Sequence, residues 1–204
     1  PSTYATLTWG QVPYAWQVNP MNALAIDGNR VAVSTCNASG KTSWLTARGC
    51  LWFMDAFPKS VVVTTSASAR QVQQQLYPNL RACIGEFPNA KDWKIRDNNQ
   101  FYIKAPNGSS MFSFATNDAG RAEGYHIPDL PQGVHKGKDI SPEWKEYLAS
   151  CGIDELDDQG RLLVVIDEAK SVEEDIFHAF ERCRASNWLV VSTPPLDPTG
   201  PFYE

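Results

Sequence analysis

The sequence predicts an α/β fold with a mostly parallel central sheet flanked by helices, and two features support this prediction. Runs of β-branched and other apolar residues alternate with longer segments of helical periodicity, which is typical of parallel strands joined by crossover helices. Several of these runs are continuously apolar, as in strands that are buried on both faces. The predicted strands lie at residues 31–33, 60–65, 162–166 and 188–192, and the predicted helices at 42–57, 66–82, 141–151 and 171–184.

The composition suits one soluble domain with a sizeable core. The chain has 204 residues, of which 43% are hydrophobic and 20% are charged. Its net charge of −5 gives no overall basic field for nucleic acid, so any such contact has to be local. No run approaches the ~18 apolar residues of a membrane span, and the N-terminus shows no signal peptide. Five cysteines without a Cys-x-x-Cys pair predict reduced thiols rather than disulfides or a zinc site.

A small polar loop lies between the first predicted strand and the helix at 42–57, and this is the context of a phosphate-binding loop. Backbone N–H groups of the loop and of the helix N-terminus would face an anion. Lys41 would add a charge at the β- and γ-phosphates, and the Thr42 hydroxyl would ligate Mg²⁺. The usual pattern begins with glycine where this chain has Thr35, so an ordinary helix start with a solvated lysine is the alternative. The predicted nucleotide-binding residues are Asn37, Ala38, Ser39, Gly40, Lys41, Thr42 and Ser43.

Two carboxylates, Asp167 and Glu168, directly follow the apolar run at 162–166. Ligand sites of open α/β sheets lie at the carboxyl ends of the strands. Asp167 is therefore placed to hold Mg²⁺ through water, and Glu168 is placed to orient and activate the attacking water. An acidic turn between a strand and a helix is the alternative, and the neighbouring phosphate loop favours the catalytic interpretation.

Residues 1–30 form a segment rich in aromatic and turn-forming residues, which we expect on the adenine side of the nucleotide. Gln17 is the candidate adenine-binding residue, because several ATPase families keep a glutamine upstream of the phosphate loop. A surface glutamine beside a core tryptophan is the alternative. A short helix at 20–25 and a turn at 27–29 are predicted within this segment.

Asn107 and Gly108 separate two alternating runs within residues 101–115, and this pattern predicts an inserted β-hairpin. Residues 127–141 are rich in proline, glycine and lysine, and they predict an exposed insertion.

The order of these motifs resembles the ATPase domain of tailed-phage large terminase subunits, the motors that pump DNA into empty capsids. The resemblance covers nearly the whole chain. It implies a P-loop NTPase of RecA-like (ASCE) type, in which the phosphate loop is Walker A and the two carboxylates are Walker B. Ser192 and Thr193 then fall on the coupling motif, which senses the γ-phosphate. The residues that carry the resemblance are Gln17, Ser34–Thr42, Leu162–Glu168, Ser192–Pro195 and Gly200–Glu204.

The resemblance also implies an activity and partners. The chain would be a Mg²⁺-dependent ATPase that drives double-stranded DNA into a viral procapsid, with a portal protein and a small terminase subunit as partners. It would be a monomer in isolation and a homo-oligomeric ring on the portal, in the cytoplasm of the infected bacterial host. We expect a single ATPase domain over residues 1–204. The RNase H-type nuclease domain of the family is absent from this chain, so no DNA cleavage is expected.

The resemblance raises the question of where a catalytic arginine comes from. Many terminases carry an arginine in the Walker A loop, whereas this chain has Asn37 in that neighbourhood. Arg121 is the predicted catalytic arginine, supplied within the chain or by a neighbouring subunit. A surface arginine paired with Glu123 is the alternative, and Arg70 and Arg81, on the helix predicted at 66–82, are the other candidates for the catalytic role.

Lysines are the predicted DNA contacts, and solubilising charge is their alternative role. They belong to the exposed insertion and to a loop that precedes the hairpin. These candidates are Lys91, Lys94, Lys136 and Lys138.

Other functions fit part of the sequence. A superfamily 2 helicase or translocase core would share both Walker motifs, but it normally needs a second RecA-like domain. A regulatory module that binds ATP without turnover would not need Glu168. A non-nucleotide α/β domain would need another site, and the chain shows neither His-Glu-x-x-His spacing nor a nucleophile elbow.

Overall fold

The computed structural model describes residues 1–96, 101–115, 160–183 and 185–194. Within these residues seven strands form one sheet. Several predicted features lie outside the described residues: Arg121, the insertion at 127–141 with Lys136 and Lys138, the helix at 141–151, and the segment 200–204. The strands are β1 Arg30–Ser34, β2 Val61–Ser66, β3 Lys94–Arg96, β4 Phe101–Lys104, β5 Ser110–Ala115, β6 Leu162–Asp167 and β7 Asn187–Ser192.

The helices surround this sheet, and two of them contain π-helical turns. The first π-helical turn, Lys41–Thr46, leads directly into α3, and the second, Val72–Leu76, joins α4 to α5. Short 3-10 turns lie at Ala90–Asp92 and Ala169–Ser171. The described helices are α1 Ser2–Trp9, α2 Ala15–Ala23, α3 Ala47–Ala56, α4 Ala69–Gln71, α5 Tyr77–Gly85 and α6 Glu174–Glu181.

The sheet is mostly parallel, as predicted, and its strand order is β1-β7-β6-β2-β5-β4-β3. Neighbouring strands pair in parallel from β1 through β7, β6 and β2 to β5. Strand β4 pairs antiparallel with both β5 and β3. The strands at 31–33 and 162–166 therefore belong to one sheet. Ser34 is in register with Ser192, and Asp167 is in register with Val191, so the carboxyl ends of β1, β6 and β7 meet at one edge.

The predicted β-hairpin is confirmed, and its turn also fixes a helix end. Gly108 has φ 90°, a left-handed conformation that glycine adopts without steric cost. The Asn107 amide donates hydrogen bonds to the carbonyl oxygens of Met54 and Asp55, at 2.7 and 3.1 Å. These carbonyls belong to the last turn of α3, where intrahelical donors are missing. The turn therefore docks the hairpin onto α3.

Two apolar cores cover the two faces of the sheet, because successive residues of each strand point to opposite faces. Val62 and Val165 contribute to the first core, together with α1, α2, α3 and α5. Val63 and Val164 contribute to the second core, together with α6. Helices therefore lie on both faces, as the alternation of strands and helices predicted.

The structure differs from the predicted elements mainly where tertiary contacts determine whether a helix or strand forms and where it begins. Helix α1 was not predicted, and it is held by a hydrogen bond of 2.6 Å from the Tyr4 hydroxyl to Asp55 and one of 3.0 Å from Trp9 Nε1 to the Cys83 carbonyl. Helix α2 begins five residues earlier than predicted and includes Pro20. The loop predicted around Lys91 and Lys94 contains a 3-10 turn and then strand β3.

The helix predicted at 171–184 is shorter than expected, since α6 spans Glu174–Glu181. The chain first forms the 3-10 turn Ala169–Ser171, and Glu173 is then extended at φ −67° and ψ 146°. Among the described helices none is long and apolar enough to cross a membrane. Among the described cysteines Cys36 is exposed, and Cys50, Cys83 and Cys183 are buried. Their reduced state stays a prediction.

Candidate functional site

The phosphate loop lies between the carboxyl end of β1 and the π-helical turn that leads into α3. Gly40, directly before this turn, has φ 85°, and a Cβ atom added to it would lie 3.3 Å from Gln17 Nε2. Both the backbone conformation and the close side chain therefore favour glycine. The first N–H groups of the helix have no intrahelical acceptor, so they are available to an anion.

Lys41 is buried, with 5% of its surface exposed, and it does not behave as the solvated lysine of an ordinary helix start. Its Nζ lies 3.2 Å from Glu168 Oε1. This ion pair joins the loop after β1 to the end of β6. Because both side chains are largely removed from water, each is the principal counter-charge of the other in the ligand-free protein.

Thr42 and Asp167 form a second link between the same two segments. Thr42 Oγ1 donates a hydrogen bond of 2.9 Å to Asp167 Oδ2, and the Glu168 backbone N–H donates one of 3.1 Å to Asp167 Oδ1. A hydroxyl and a carboxylate oxygen are ligands that Mg²⁺ accepts, usually alongside waters and phosphate oxygens. The pair therefore fits Mg²⁺, although the described residues contain no cluster of three or more His, Cys, Asp or Glu side chains that could hold a metal by themselves.

Burial sets the ionisation of Asp167. The pKa of this carboxyl is raised from 3.8 to about 6, chiefly because it is removed from water and to a smaller extent because of the neighbouring charge of Glu168. The Thr42 hydroxyl, the Glu168 N–H and Lys41 act in the opposite direction. The raised pKa therefore reflects mainly the cost of removing this carboxylate from water, a cost that a bound cation would offset.

We expect replacement of Asp167 by Asn to change how the stability of the ligand-free protein depends on pH. The native pKa of about 6 exceeds the ordinary value of 3.8, so between these values the native state binds more protons than the unfolded state. The wild-type free energy of unfolding should therefore fall, relative to that of Asp167→Asn, as pH rises from about 4 to 6, and the difference should then level off. Urea unfolding of both proteins across this range measures the difference, and a difference independent of pH would contradict the assignment.

Glu168 has a left-handed backbone, with φ 55° and ψ 46°, directly after β6. This conformation is uncommon for a residue with a Cβ atom, and such residues are concentrated at functional sites. It turns the chain at the sheet edge, so that Glu168 Oε1 contacts Lys41 while Oε2 accepts a hydrogen bond of 3.4 Å from Thr193 Oγ1.

Ser192 and Thr193 reach the same cluster from the end of β7, and both are buried. Ser192 Oγ accepts a hydrogen bond from the Lys170 backbone N–H and donates one to the Thr193 carbonyl, both at 3.1 Å. The segment that follows β7 is thus tied to the turn that follows Glu168. The structure brings together Lys41, Thr42, Asp167, Glu168 and Thr193, which the sequence separates by up to 152 positions (193 − 41).

Gln17 is buried beneath the phosphate loop, with 1% of its surface exposed. Its Oε1 accepts a hydrogen bond of 2.9 Å from the Tyr14 backbone N–H, so the side chain helps to start α2. Its Nε2 faces Gly40 and has no hydrogen-bond partner within the described part of the chain. The structure thus places Gln17 against the loop, and its adenine-binding role stays a prediction.

The remaining predicted loop residues differ in how far they are exposed. Asn37 and Ala38 are exposed, and Ala38 has a left-handed backbone with φ 58°. Ser39 is half-buried, and its Oγ has no hydrogen-bond partner among the described residues. The Ser43 carbonyl accepts a hydrogen bond of 2.7 Å from Arg48.

Arg48 is a residue of this region that the sequence patterns did not single out. It is buried on α3, and it donates a second hydrogen bond of 2.7 Å to Gln11 Oε1. Its guanidinium lies over the rings of Trp9 and Trp44, at 5.6 and 5.9 Å. Arg48 therefore connects the N-terminal segment with the helix of the phosphate loop. The available signal was a basic residue within the largely apolar helix predicted at 42–57.

Comparison with known proteins adds a fold-level relationship. No protein-family model and no curated protein sequence matches this chain. Several solved structures do, and the Thermus phage P74-26 large terminase ATPase domain aligns with a TM-score of 0.56 at 14% identity, over 96% of this chain and 70% of that one. The chain has the fold of a phage large terminase ATPase domain.

Two longer terminase structures show the same likeness. The bacteriophage HK97 large terminase aligns with a TM-score of 0.55 at 14% identity, over 89% of this chain. The large terminase of a thermophilic bacteriophage, in complex with ADP, aligns with a TM-score of 0.53 at 12% identity, also over 89% of this chain. This chain spans 33% of the HK97 structure and 38% of the terminase in the ADP complex.

Proposed function

We propose that this chain is the ATPase domain of a DNA-packaging motor, which hydrolyses ATP with Mg²⁺ to move double-stranded DNA into a viral procapsid. The observation that carries the proposal is the convergence of Lys41, Thr42, Asp167 and Glu168 at one edge of the sheet. The fold shared with large terminase ATPase domains supports the same class of activity. One of those terminases is in complex with ADP, which supports nucleotide binding.

The roles of the side chains follow from their chemistry. Lys41 would bind the β- and γ-phosphate oxygens, in exchange for its contact with Glu168. Glu168, released from this ion pair, would accept a hydrogen bond from the attacking water and orient it. Thr42 and Asp167 would hold Mg²⁺, which neutralises phosphate charge when it is bound. Thr193 would report the position of Glu168 to the segment after β7, since its hydroxyl already contacts that carboxylate.

The partners are proposed from the same relationship. They are double-stranded DNA, a portal protein and a small terminase subunit, and the chain would act as a ring on the procapsid portal in the host cytoplasm. The phosphate loop contains no arginine, and Arg48 of the following helix is held by Ser43 and Gln11. The catalytic arginine would therefore come from elsewhere, and Arg121 is proposed for this role, with Arg70 and Arg81 as the other candidates. Full DNA-stimulated ATP turnover by a motor that carries Arg121→Ala would show that Arg121 is not the catalytic arginine.

An ATPase assay of this chain, with and without double-stranded DNA, tests the proposal. We expect turnover that requires Mg²⁺ and that rises when DNA is added. ATP binding without turnover, in the presence of Mg²⁺ and DNA, would indicate a regulatory nucleotide-binding module instead. ATP-driven separation of DNA strands would indicate a helicase.

A further inference from the structure

A group of exposed cations lies on one face of the sheet at its β3 edge. Lys94 of β3 is directly opposite Lys104 of β4, and Arg96 is directly opposite Tyr102. Ile95 and Ile103, which alternate with these residues, point into the first core, so the cations lie on the opposite face. Lys94, Arg96 and Lys104 are all exposed. We call these three residues with Tyr102 the β3–β4 basic face.

The pairing of Lys94 with Lys104 is unfavourable within the protein itself. Side chains directly opposite on antiparallel strands have Cβ atoms about 4.5–5.5 Å apart, and like charges at this distance destabilise the sheet. The strands β3, β4 and β5 contain no acidic residue, and none of the three cations forms an ion pair with an acidic side chain in the described part of the chain. Along the chain, the acidic residues that flank β3 are Asp92, in the turn before it, and Asp97, which lies outside the described residues.

Protection of the sheet edge explains only part of this arrangement. Lysines on an edge strand discourage pairing with other chains, and β3 is the last strand of the described sheet. Lys104, however, lies on β4, which is paired on both sides and needs no such protection. A cation at this position adds repulsion without protecting an edge, which points to an external anion.

The neighbouring aromatic residues give the face a fixed shape. The Tyr102 and Phe112 rings lie 5.1 Å apart, and the Tyr102 hydroxyl lies 3.2 Å from Ser110 Oγ. Both rings are half-buried, and Phe112 packs against the second core. The cations therefore project from rigid strands rather than from a loop.

We propose that the β3–β4 basic face binds the phosphate backbone of double-stranded DNA, and this inference rests on the proposed motor function. The protein carries a net charge of −5, so a polyanion needs a local cluster of cations. Lys94, Arg96 and Lys104 form such a cluster, and within the described residues they have no acidic partner. Regularly spaced phosphates match a row of cations on extended strands, and such contacts position DNA without reading its sequence. DNA binding at this face is therefore independent of sequence.

The face is separate from the nucleotide site. In the strand order, β3 lies four positions from β6, the strand that ends in Asp167. At a spacing of about 4.8 Å per strand, the separation is roughly 19 Å. Loss of its charges should therefore leave ATP turnover in the absence of DNA unchanged.

The test measures the binding of a labelled DNA duplex by the double variant Lys94→Gln, Lys104→Gln, using fluorescence anisotropy between about 50 and 200 mM salt. Arg96 is retained to keep the edge strand charged. We expect the affinity to fall about tenfold or more at the lower salt concentration. The slope of log affinity against log salt should become shallower by about 1.8, since each lost phosphate contact contributes about 0.9. DNA-free ATP turnover should be that of the wild type.

The matched control is the variant Lys59→Gln, Arg70→Gln, which removes the same charge from exposed positions just before β2 and on α4. This control should keep both the affinity and the salt slope. Equal weakening of DNA binding by the two variants would overturn the inference, because it would show that net charge alone determines the affinity. Unchanged DNA binding by the Lys94, Lys104 variant, in a chain whose wild type binds DNA and hydrolyses ATP, would overturn the inference and leave the motor function standing.

Two further outcomes also overturn the inference. If the wild-type chain neither bound DNA nor hydrolysed ATP, both this inference and the proposed motor function would be contradicted. A polyglutamate peptide that competes with the duplex at equal charge concentration would identify an acidic protein as the partner of this face.

Discussion

Replacement of Lys41 by alanine is expected to lower ATP turnover by about 10²–10³-fold, the usual cost of removing one group that stabilises charge in a transition state. Lys41 is the buried cation of the phosphate loop, and the helix start holds it at the edge of the sheet. Its removal would also leave Glu168 without its cationic partner in the ligand-free protein. The two measurements are the steady-state rate of phosphate release and the affinity for nucleotide.

Two variants make the Lys41 result specific. Lys59→Ala removes an exposed lysine and should retain wild-type turnover. Lys41→Arg keeps the charge but adds a planar fork that does not match a compact ammonium site, so it should restore little activity. Wild-type turnover by Lys41→Ala would show that the loop is an ordinary helix start.

Replacement of Glu168 by glutamine is expected to lower turnover by about 10²–10⁴-fold, the range for loss of general base catalysis, while nucleotide binding is retained. In the ligand-free protein Glu168 competes with phosphate for Lys41. The variant leaves this buried lysine without its carboxylate, and a bound nucleotide supplies a new anionic partner. The increase in melting temperature on addition of a non-hydrolysable ATP analogue should therefore be larger for Glu168→Gln than for the wild type.

Glu173→Gln is the matched control, since it makes the same substitution at an exposed position five residues along the chain. It should retain both turnover and the wild-type shift in melting temperature. If Glu168→Gln hydrolysed ATP at the wild-type rate, another group would have to orient the water. If it lost nucleotide binding instead, Glu168 would have a structural role in the loop rather than a catalytic one.

These variants test residues that local patterns identify. A β-branched run followed by Gly40, Lys41 and Thr42 predicts a strand, a loop and a helix start, because each step depends on neighbours a few positions away. The apolar run before Asp167 and Glu168 likewise predicts a strand end. The hairpin turn at Asn107 and Gly108 belongs to the same class, since its conformation depends on the two residues that form it.

Tertiary contacts decided the elements that had weak local patterns. Helix α1 is stabilised by Tyr4 and Trp9 through partners 51 and 74 positions away, so its own sequence does not reveal it. Strand β3 is only three residues long, and pairing with β4 defines it. The sequence shows Arg48 only as a charged residue in a helix. Its contacts with Gln11 and Trp9 form only when the N-terminal segment packs against that helix.

The sequence alone therefore determined the fold class and the separate pieces of the candidate site, since β-branched runs, glycine turns and strand-end carboxylates act locally. The tertiary structure decided which pieces meet. Sheet order and register bring Thr42 to Asp167 across 125 positions, pair Lys41 with Glu168, and set Lys94 opposite Lys104. The first two contacts depend on strands distant in the chain, whereas the third depends on the register of the consecutive strands β3 and β4. In both cases pairing is settled by the burial of both sheet faces at once rather than by any one segment.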